Sequence, residues 1–426
     1  MATVTEEQDR EEKLRLAIER IIPHCTEDAE HKVFREMAVA LKDNDKLVGE
    51  VLEGATNYSY KVFPEKKPSA AVFVKVNFTY ALWNPDRTAF YDLERAKTEF
   101  LMMKKMKALL GDAAPVATPY LLIDITPEIR MIVAEWAKAH EPYAAQFNRG
   151  KVDRRILGKV AEFVATINLQ DMGDPSFNEG IKNPMRALYP IAKGAFGQII
   201  GVGGEPDHFV AYAKEMGQVR FNSVVDAMGA AYEKCEMLLH GDSHVLNILV
   251  EPETEEGNFG ETGDFIMCDW EMVHHGVRGR DPGTFNALPI NSACFLAAQG
   301  LNKRALEMID IMAEFWDEYA KHMVEKGGKD DEYMRDLYRS SVGWCGVYVF
   351  IANFLLKLQW NFMPFDKISQ EAGAKTMASI ALIGLKLMEW SFLVVDPELT
   401  IPQMREWFAS VVSEQIELLH EICQES

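Results

Sequence analysis

Apolar positions along the chain follow helical spacing first, then strand alternation, then helical spacing again. From Glu6 to Leu41 they recur as in one or two amphipathic helices, divided by Pro23 and the acidic "TEDAE". From Leu47 the pattern turns strand-like. "LVGEVLEGATNYSYKVF" carries a Gly-Ala-Thr-Asn turn at its middle, and "AAVFVKVN" adds a second β-branched run. "NPDRTAFYDLERAKTEFLMMKKMKALLG" predicts one long helix ending at Gly111, and "APVATPYLLIDITPEIRMIVAEW" two more strands around Thr126-Pro127. Past Trp136 helical spacing returns in "KVDRRILGKVAEFVATINLQ" and "HFVAYAKEMGQVRFNSVVDAMGAAYEK". Two strand-like pieces, "NILVEP" and "DFIMCDW", interrupt it, and Asn286 to Ser426 reads as helix throughout. The glycines of "GAFGQIIGVGGEP" (Gly194, Gly197, Gly201, Gly203, Gly204) read as a mobile loop between helices. The expected class is α+β: a β-rich part with N-terminal helices over residues 1–135, and a larger helical part over 136–426.

Bulk properties narrow the functions open to such a chain. Its 426 residues suit two or three packed units, and 48% hydrophobic with 26% charged residues describes a globular protein. A formal net charge of -20 argues against nucleic acid as a partner, because binding phosphates needs a basic face. The acidic N-terminus lacks an apolar stretch and does not read as a signal peptide. The most apolar late segment, "SIALIGLKLMEWSFLVV", carries Lys386 and Glu389 and is expected to fall short of a membrane span. Six scattered cysteines form no C-x-x-C pair, which predicts reduced thiols and a cytoplasmic setting. Nothing indicates a particular oligomer.

One stretch breaks the apolar pattern where burial is expected. "LLHGDSHVLNILV", Leu238 to Val250, places His240, Gly241, Asp242, His244 and Asn247 inside a strand-compatible run. An unpaired polar group in such a place costs a few kcal/mol, roughly, so a compensating role is implied. Asp242 is placed to receive or orient a hydroxyl, Gly241 to let backbone pass closely, and Asn247 to offer oxygen to Mg²⁺. Asp269, closing "DFIMCDW", supplies a second carboxylate for the metal. H-x-D, then Asn, then Asp at the end of a later hairpin is the arrangement of phosphotransfer chemistry.

These residues carry a family resemblance. "HGDSHVLNILV", "FIMCDWEM" and "RGRDPGTF" together resemble the signature of the aminoglycoside phosphotransferase and choline kinase superfamily. That resemblance implies a bilobal protein-kinase-like fold, an antiparallel β-rich nucleotide-binding lobe, and a helical lobe holding the catalytic loop and acceptor site. It further implies ATP and Mg²⁺ as cofactors and a small-molecule hydroxyl as acceptor. Asp242 is then the catalytic base, Asn247, Asp269 and Glu271 the metal ligands, and His240 and Asp281 the supports of the catalytic loop. In the first lobe, "LEGATNYSYKV" resembles a phosphate-covering turn with Gly54 and Asn57 at the bend. "VFVKV" offers Lys75 for the phosphates, with Glu99 (rather than Glu94) as its ion-pair partner. "MIVAEWA" is similar to a hinge whose backbone receives adenine near Glu135 and Trp136. "WNPDRTAFYDLERAKTEF" and "EYMRDLYRSSVGWCGVYVF" bring the chain nearest to methylthioribose kinase. It departs from that kinase in having Asn247 where a serine is usual, and Ile351 and Ala352 where an arginine pair is usual. The choline kinases share the D-x-E and Arg-Gly-x-Asp features, which keeps a cationic acceptor and a cage from Trp344, Trp360 or Trp390 open.

Two other readings remain. His240, His244, His274 and His275 would suit a zinc-dependent hydrolase, and a kinase-like chain that binds without catalysing would keep the same layout. The second is usually marked by loss of the base or of a metal ligand, and here both are present. No Gly-x-x-x-x-Gly-Lys-Ser/Thr phosphate loop occurs, and "DWE" stands where protein kinases have "DFG".

Overall fold

The structure is a computed structural model and describes residues 6–52, 57–80, 91–137, 140–201, 208–254, 258–260, 262–355, 363–394 and 398–424. Gly54, Gly203, Gly204 and Trp360 lie outside the described residues. The chain divides into two compact units, residues 1–139 with 266–271, and residues 140–265 with 272–426.

The first unit begins with helices α1 (Glu6–Ile21) and α2 (Lys32–Lys42), separated at Pro23 as the sequence predicts. Strands β1 (Leu47–Leu52), β2 (Tyr58–Pro64) and β3 (Val72–Phe78) follow, then α3 (Glu94–Leu110), β4 (Pro119–Thr126) and β5 (Ile129–Glu135). They form one antiparallel sheet in the order β1-β2-β3-β5-β4. Alternation in β2 and β3 puts Tyr58, Tyr60, Val62, Val72, Val74 and Val76 into a core with Ala17 and Ile21 of α1 and Phe34 and Met37 of α2. Each such large side chain contributes about 1.5–3 kcal/mol on burial. Tyrosine hydroxyls fasten α1 to the sheet: Tyr58 donates to Asp9 Oδ2 (3.0 Å) and Tyr60 to the Arg10 carbonyl (2.8 Å). The same alternation turns Lys75 and Asn77 to the other face, and α3 packs on β4 and β5. α3 stops at Gly111, whose φ of 68° suits a residue without Cβ. It begins at Glu94, later than the long predicted helix, because residues 91–93 are not helical and 81–90 lie outside the described set.

The second unit is mostly helical. It opens with β6 (Glu141–Pro142), α4 (Ala144–Arg149), α5 (Arg154–Asn168), α6 (Lys182–Gly201) and α7 (His208–Tyr232). Short strands β7 (Met237–Leu239), β8 (Ile248–Val250), β9 (Phe265–Met267) and β10 (His274–Gly276) follow, β9 running across the division into the first unit. Then come α8 (Arg280–Ala298), α9 (Asn302–Glu325), α10 (Asp331–Val347), α11 (Gln370–Leu393) and α12 (Ile401–Gln424). α8 is buried along its whole length and packs against α4, α9, α10, α11 and α12. Asp153, Asp330 and Ser369 cap α5, α10 and α11 through their side-chain oxygens. α10 runs on into a π-helical stretch, Tyr348–Leu355.

Three expectations change. Gly194 and Gly197 lie within α6, not in a loop. Helix interiors lose about 1 kcal/mol per glycine, but Phe196 stacks on Phe221 of α7 at 3.9 Å in the core and outweighs that cost. The segment expected to fall short of a membrane span belongs to α11, long and apolar enough by length and composition to cross one, yet 83% of that window is buried inside the protein. The strand pair β7–β10, with His274 opposite Leu239, was not foreseen, because three-residue runs leave no readable period.

Candidate active site

In the first unit, β3 delivers Lys75 to a buried cluster of carboxylates. Its Nζ lies 2.9 Å from Glu99 of α3 and 2.9 Å from Glu271, and it also pairs with Asp269. Glu271 meets the fully buried Arg95 at 2.5 Å and accepts from Asn57 Nδ2 at 2.9 Å. Arg95 in turn donates to Asn57 Oδ1 (2.8 Å) and to the Phe78 carbonyl (3.1 Å). One helical turn separates Arg95 from Glu99, which puts both on the same face of α3. Glu94, the competing glutamate, instead meets Arg130 and Lys97 near the surface. Asp269 adopts φ 62°, a left-handed backbone uncommon outside glycine.

Electrostatics in this cluster are tightly balanced. Burial would lower the Lys75 pKa, but Asp269, Glu271 and Glu99 outweigh it and hold the ammonium charged. Burial pushes Glu99 up to about 7, against the pull of Lys75. Glu271 goes the other way: burial alone would raise it, but Arg95 and Lys75 keep it below the usual carboxylate range. Three carboxylates face two cations, so the cluster carries an excess negative charge once Glu99 is ionised. The contacts that Asn57, Lys75 and Arg95 make with Glu271 all fall on its Oε2. Oxygens of Glu99, Asp269 and Glu271 lie within 4.8 Å of one another, and a hard divalent cation suits such a set.

In the second unit, the loop between β7 and β8 presents Asp242. Tyr348 donates to its Oδ1 (3.0 Å), while Asn247 Nδ2 reaches its Oδ2 (3.2 Å) and its carbonyl (2.9 Å). With the amide nitrogen so engaged, Asn247 Oδ1 is the atom left to face a cation. His244 Nε2 stands 3.3 Å from Asp242 Oδ2, and about a quarter of the Asp242 side chain is exposed (24%). Burial acts to raise the Asp242 pKa, but His244 and Tyr348 outweigh it and hold the carboxyl well below the usual range.

A second carboxylate builds this loop. Asp281, wholly buried at the start of α8, accepts from the backbone of His240 (2.8 Å) and Gly241 (2.9 Å) and from Asn168 Nδ2 (2.8 Å). Tyr319 then fixes Asn168 through its Oδ1 at 2.8 Å. Gly241 has φ 84°, and a Cβ there would sit 2.1 Å from the Met272 carbonyl oxygen, so backbone approaches as closely as the sequence implies.

The structure thus collects Lys75, Glu99, Asn57, Asp269 and Glu271 in one unit, and His240, Asp242, Asn247 and Asp281 in the other. The hinge residues lie at the end of β5. Glu135 donates its backbone N–H to Thr118 O (2.9 Å) and accepts from Thr118 through its side chain. The Trp136 ring lies 5.5 Å from Lys61 Nζ. The histidines do not assemble as zinc ligands: His274 is buried with Nδ1 on the Met272 carbonyl and Nε2 facing the Arg280 guanidinium at 3.2 Å. Trp344 belongs to the helical core, and Trp390 stacks on Trp407 at 4.5 Å. Sequence reasoning passed over Arg95 and Tyr348. Arg95 had a signal, an arginine four residues before Glu99 on a face bearing apolar residues, whereas "GVYVF" offers none for Tyr348.

Neither a family model nor a curated protein matches the chain. It is similar in structure to a thermostable mutant of aminoglycoside phosphotransferase APH(4)-Ia in a ternary complex with AMP-PNP and hygromycin B, with 11% identity over 79% of this chain and 94% of that one, at a TM-score of 0.38. A second such mutant, bound to ADP and hygromycin B, gives 9% identity over 89% and 97%, at 0.35. Rad53 in complex with AMP-PNP gives 12% identity over 84% and 68%, at 0.27.

Proposed function

We propose that the protein is a Mg²⁺- and ATP-dependent phosphotransferase acting on a hydroxyl of a small molecule. The observation that supports this most is the buried Lys75 held by a helix glutamate and by an aspartate with left-handed backbone. A structural salt bridge needs only one carboxylate; three around one lysine leave charge for a divalent ion and phosphates to balance. In this reading Lys75 binds phosphate oxygens, Glu99 positions Lys75, and Arg95 with Asn57 positions Glu271. Asp269 would offer oxygen to Mg²⁺, with Glu271 as a further donor, and Asn247, within its own unit, would offer Oδ1 to a cation. When bound, the metal neutralises phosphate charge.

Asp242 orients the acceptor hydroxyl through a lone pair of its partly exposed carboxylate, whose two oxygens Tyr348 and Asn247 hold in place. Its depressed pKa makes it a weak base toward a ground-state alcohol. That suits a loose transition state in which the hydroxyl proton is released late, after bonding to phosphorus has begun. His244, 3.3 Å away, stabilises the ionised carboxylate.

Thermal denaturation with ATP, with Mg²⁺, and with both tests the reading, because a ligand of the folded state raises the melting temperature by mass action. A shift requiring both is expected, and Asp269→Ala removes it. Asp242→Asn keeps that shift but loses about a hundredfold or more of phosphoryl transfer in a screen of sugars, amino alcohols and aminoglycosides. No joint shift at millimolar ligand overturns the proposal, and normal transfer by Asp242→Asn overturns the assignment of the base.

A further inference from the structure

The N-terminal helix α1 carries a buried charge that covering a sheet does not require. In its acidic first half Glu6, Glu7, Glu11 and Glu12 are exposed, whereas Asp9 is buried. Apolar side chains cover the sheet at less cost, as Ala17 and Ile21 do further along the same helix, because a buried carboxylate needs well-aligned partners to offset its desolvation. Asp9 is met by Lys13 at 3.5 Å and accepts from the Tyr58 hydroxyl at 3.0 Å. The Arg10 guanidinium lies 5.3 Å from the centre of the Tyr58 ring. Further along α1, Leu14 fills the space over Gly49 of β1, where a Cβ would run into Leu14 Cδ1.

Tyr58 opens β2, and strand alternation turns the residue before it to the opposite face. That residue is Asn57, buried, whose amide donates to Glu271 Oε2 at 2.9 Å and accepts from Arg95 at 2.8 Å. An amide that donates and accepts at once tolerates little displacement, since hydrogen bonds weaken steeply with angle and distance. Within this unit α1 fixes Tyr58, Tyr58 fixes the backbone at the start of β2, and that backbone sets Asn57 against Glu271. We propose that Asp9 and Tyr58 are positioning residues for the metal–nucleotide site. They align Asn57, and Asn57 aligns Glu271 for a divalent cation bound to the phosphates of a nucleotide. This rests on the phosphotransferase reading and gives α1, which that reading leaves idle, a part in it.

Isothermal titration of the full chain with AMP-PNP and Mg²⁺, with EDTA as the metal-free control, tests this. Tyr58→Phe removes one oxygen and keeps the ring in the core. Asp9→Leu removes the buried charge and keeps an apolar cover. Each should weaken Mg²⁺-dependent binding about three- to tenfold, the scale of one hydrogen bond. Asp9→Asn keeps an acceptor for Tyr58 and should stay within about twofold of wild type. A helix that only supports the fold gives a different result: Asp9→Leu would bind like wild type, whatever its melting temperature. Asn57→Ala should weaken binding about tenfold or more, and adding Asp9→Leu to it should weaken binding no further, because Asp9 acts through Asn57. Wild-type affinity in either Asp9→Leu or Tyr58→Phe, or losses that multiply in the double variant, would overturn the proposal. Absence of Mg²⁺-dependent binding in wild type would overturn the phosphotransferase reading with it, so the two failures are told apart.

Discussion

Removing the Asp281 carboxylate tests how the loop that carries Asp242 is built. Asp281→Ala deletes the acceptor of three short hydrogen bonds, from His240 N, Gly241 N and Asn168 Nδ2, each 2.8–2.9 Å long, and of a longer one from Ser243 Oγ at 3.4 Å. The residue is wholly buried, so water does not replace the lost partner at once. A donor left unsatisfied costs about 1–3 kcal/mol, and partial relaxation brings the sum for three to about 3–6 kcal/mol. Asp281→Asn keeps one oxygen of the same shape, but its NH₂ must then face an N–H, so it loses about 1–3 kcal/mol. Urea unfolding followed by tryptophan fluorescence weights the right part, because Trp316, Trp344, Trp390 and Trp407 belong to the second unit against Trp136 and Trp270 in the first. With a slope of about 3 kcal/mol per molar, the alanine variant should unfold about 1–2 M earlier, and the asparagine variant in between. Both units need not unfold together, so a probe concentrated in one of them is required. A loss below about 1 kcal/mol for Asp281→Ala would show that the loop stands without this carboxylate and refute the reasoning.

Gly241→Ala should cost at least about 2 kcal/mol in the same assay, since the new methyl meets the Met272 carbonyl at 2.1 Å on a backbone with φ 84°; a change within about 0.5 kcal/mol would contradict that placement. His274 gives a pH dependence of known sign. Burial, with Arg280 beside it, holds its imidazole well below the ordinary 6.5, so the unfolded chain binds the proton first and stability is lost as pH falls below that value. The slope approaches about 1.4 kcal/mol per pH unit. Glu99, raised to about 7, acts with opposite sign between its ordinary 4.5 and that value, so the informative quantity is the stability difference between wild type and His274→Asn. That difference should shrink by about 2 kcal/mol from pH 7 to pH 5, and a constant difference would refute a neutral, buried His274.

The α+β layout was legible because long periodic segments dominate it. α1 and α2 around Pro23, the strand pairs and the late helices all declare their period over ten or more residues or between clear turns. Elements that failed to declare themselves were governed by partners far away in sequence. α6 holds glycines that local propensity disfavours, and its helix is held by core packing on α7, with Phe221 stacked on Phe196. β7 and β10 are three residues each and exist because they pair with one another. The candidate site divides along the same line. Asp242, Asn247, Asp269 and Lys75 stood out because each is a polar residue inside an apolar run, an anomaly visible in a window of ten residues. Their supports are polar as well, with Arg95, Tyr319 and Asn168 buried, but each sits where a polar residue is locally ordinary: Arg95 on a charged helix, Tyr319 and Tyr348 among other aromatics, Asn168 at a helix end. Their burial becomes informative only with the partner known, and Asn57 and Glu271 are 214 positions apart. A buried charge retained on one helix face requires a countercharge, since an unpaired one costs several kcal/mol, roughly. The fully buried Arg95 therefore demanded a carboxylate somewhere in this chain, and Glu271 meets that demand.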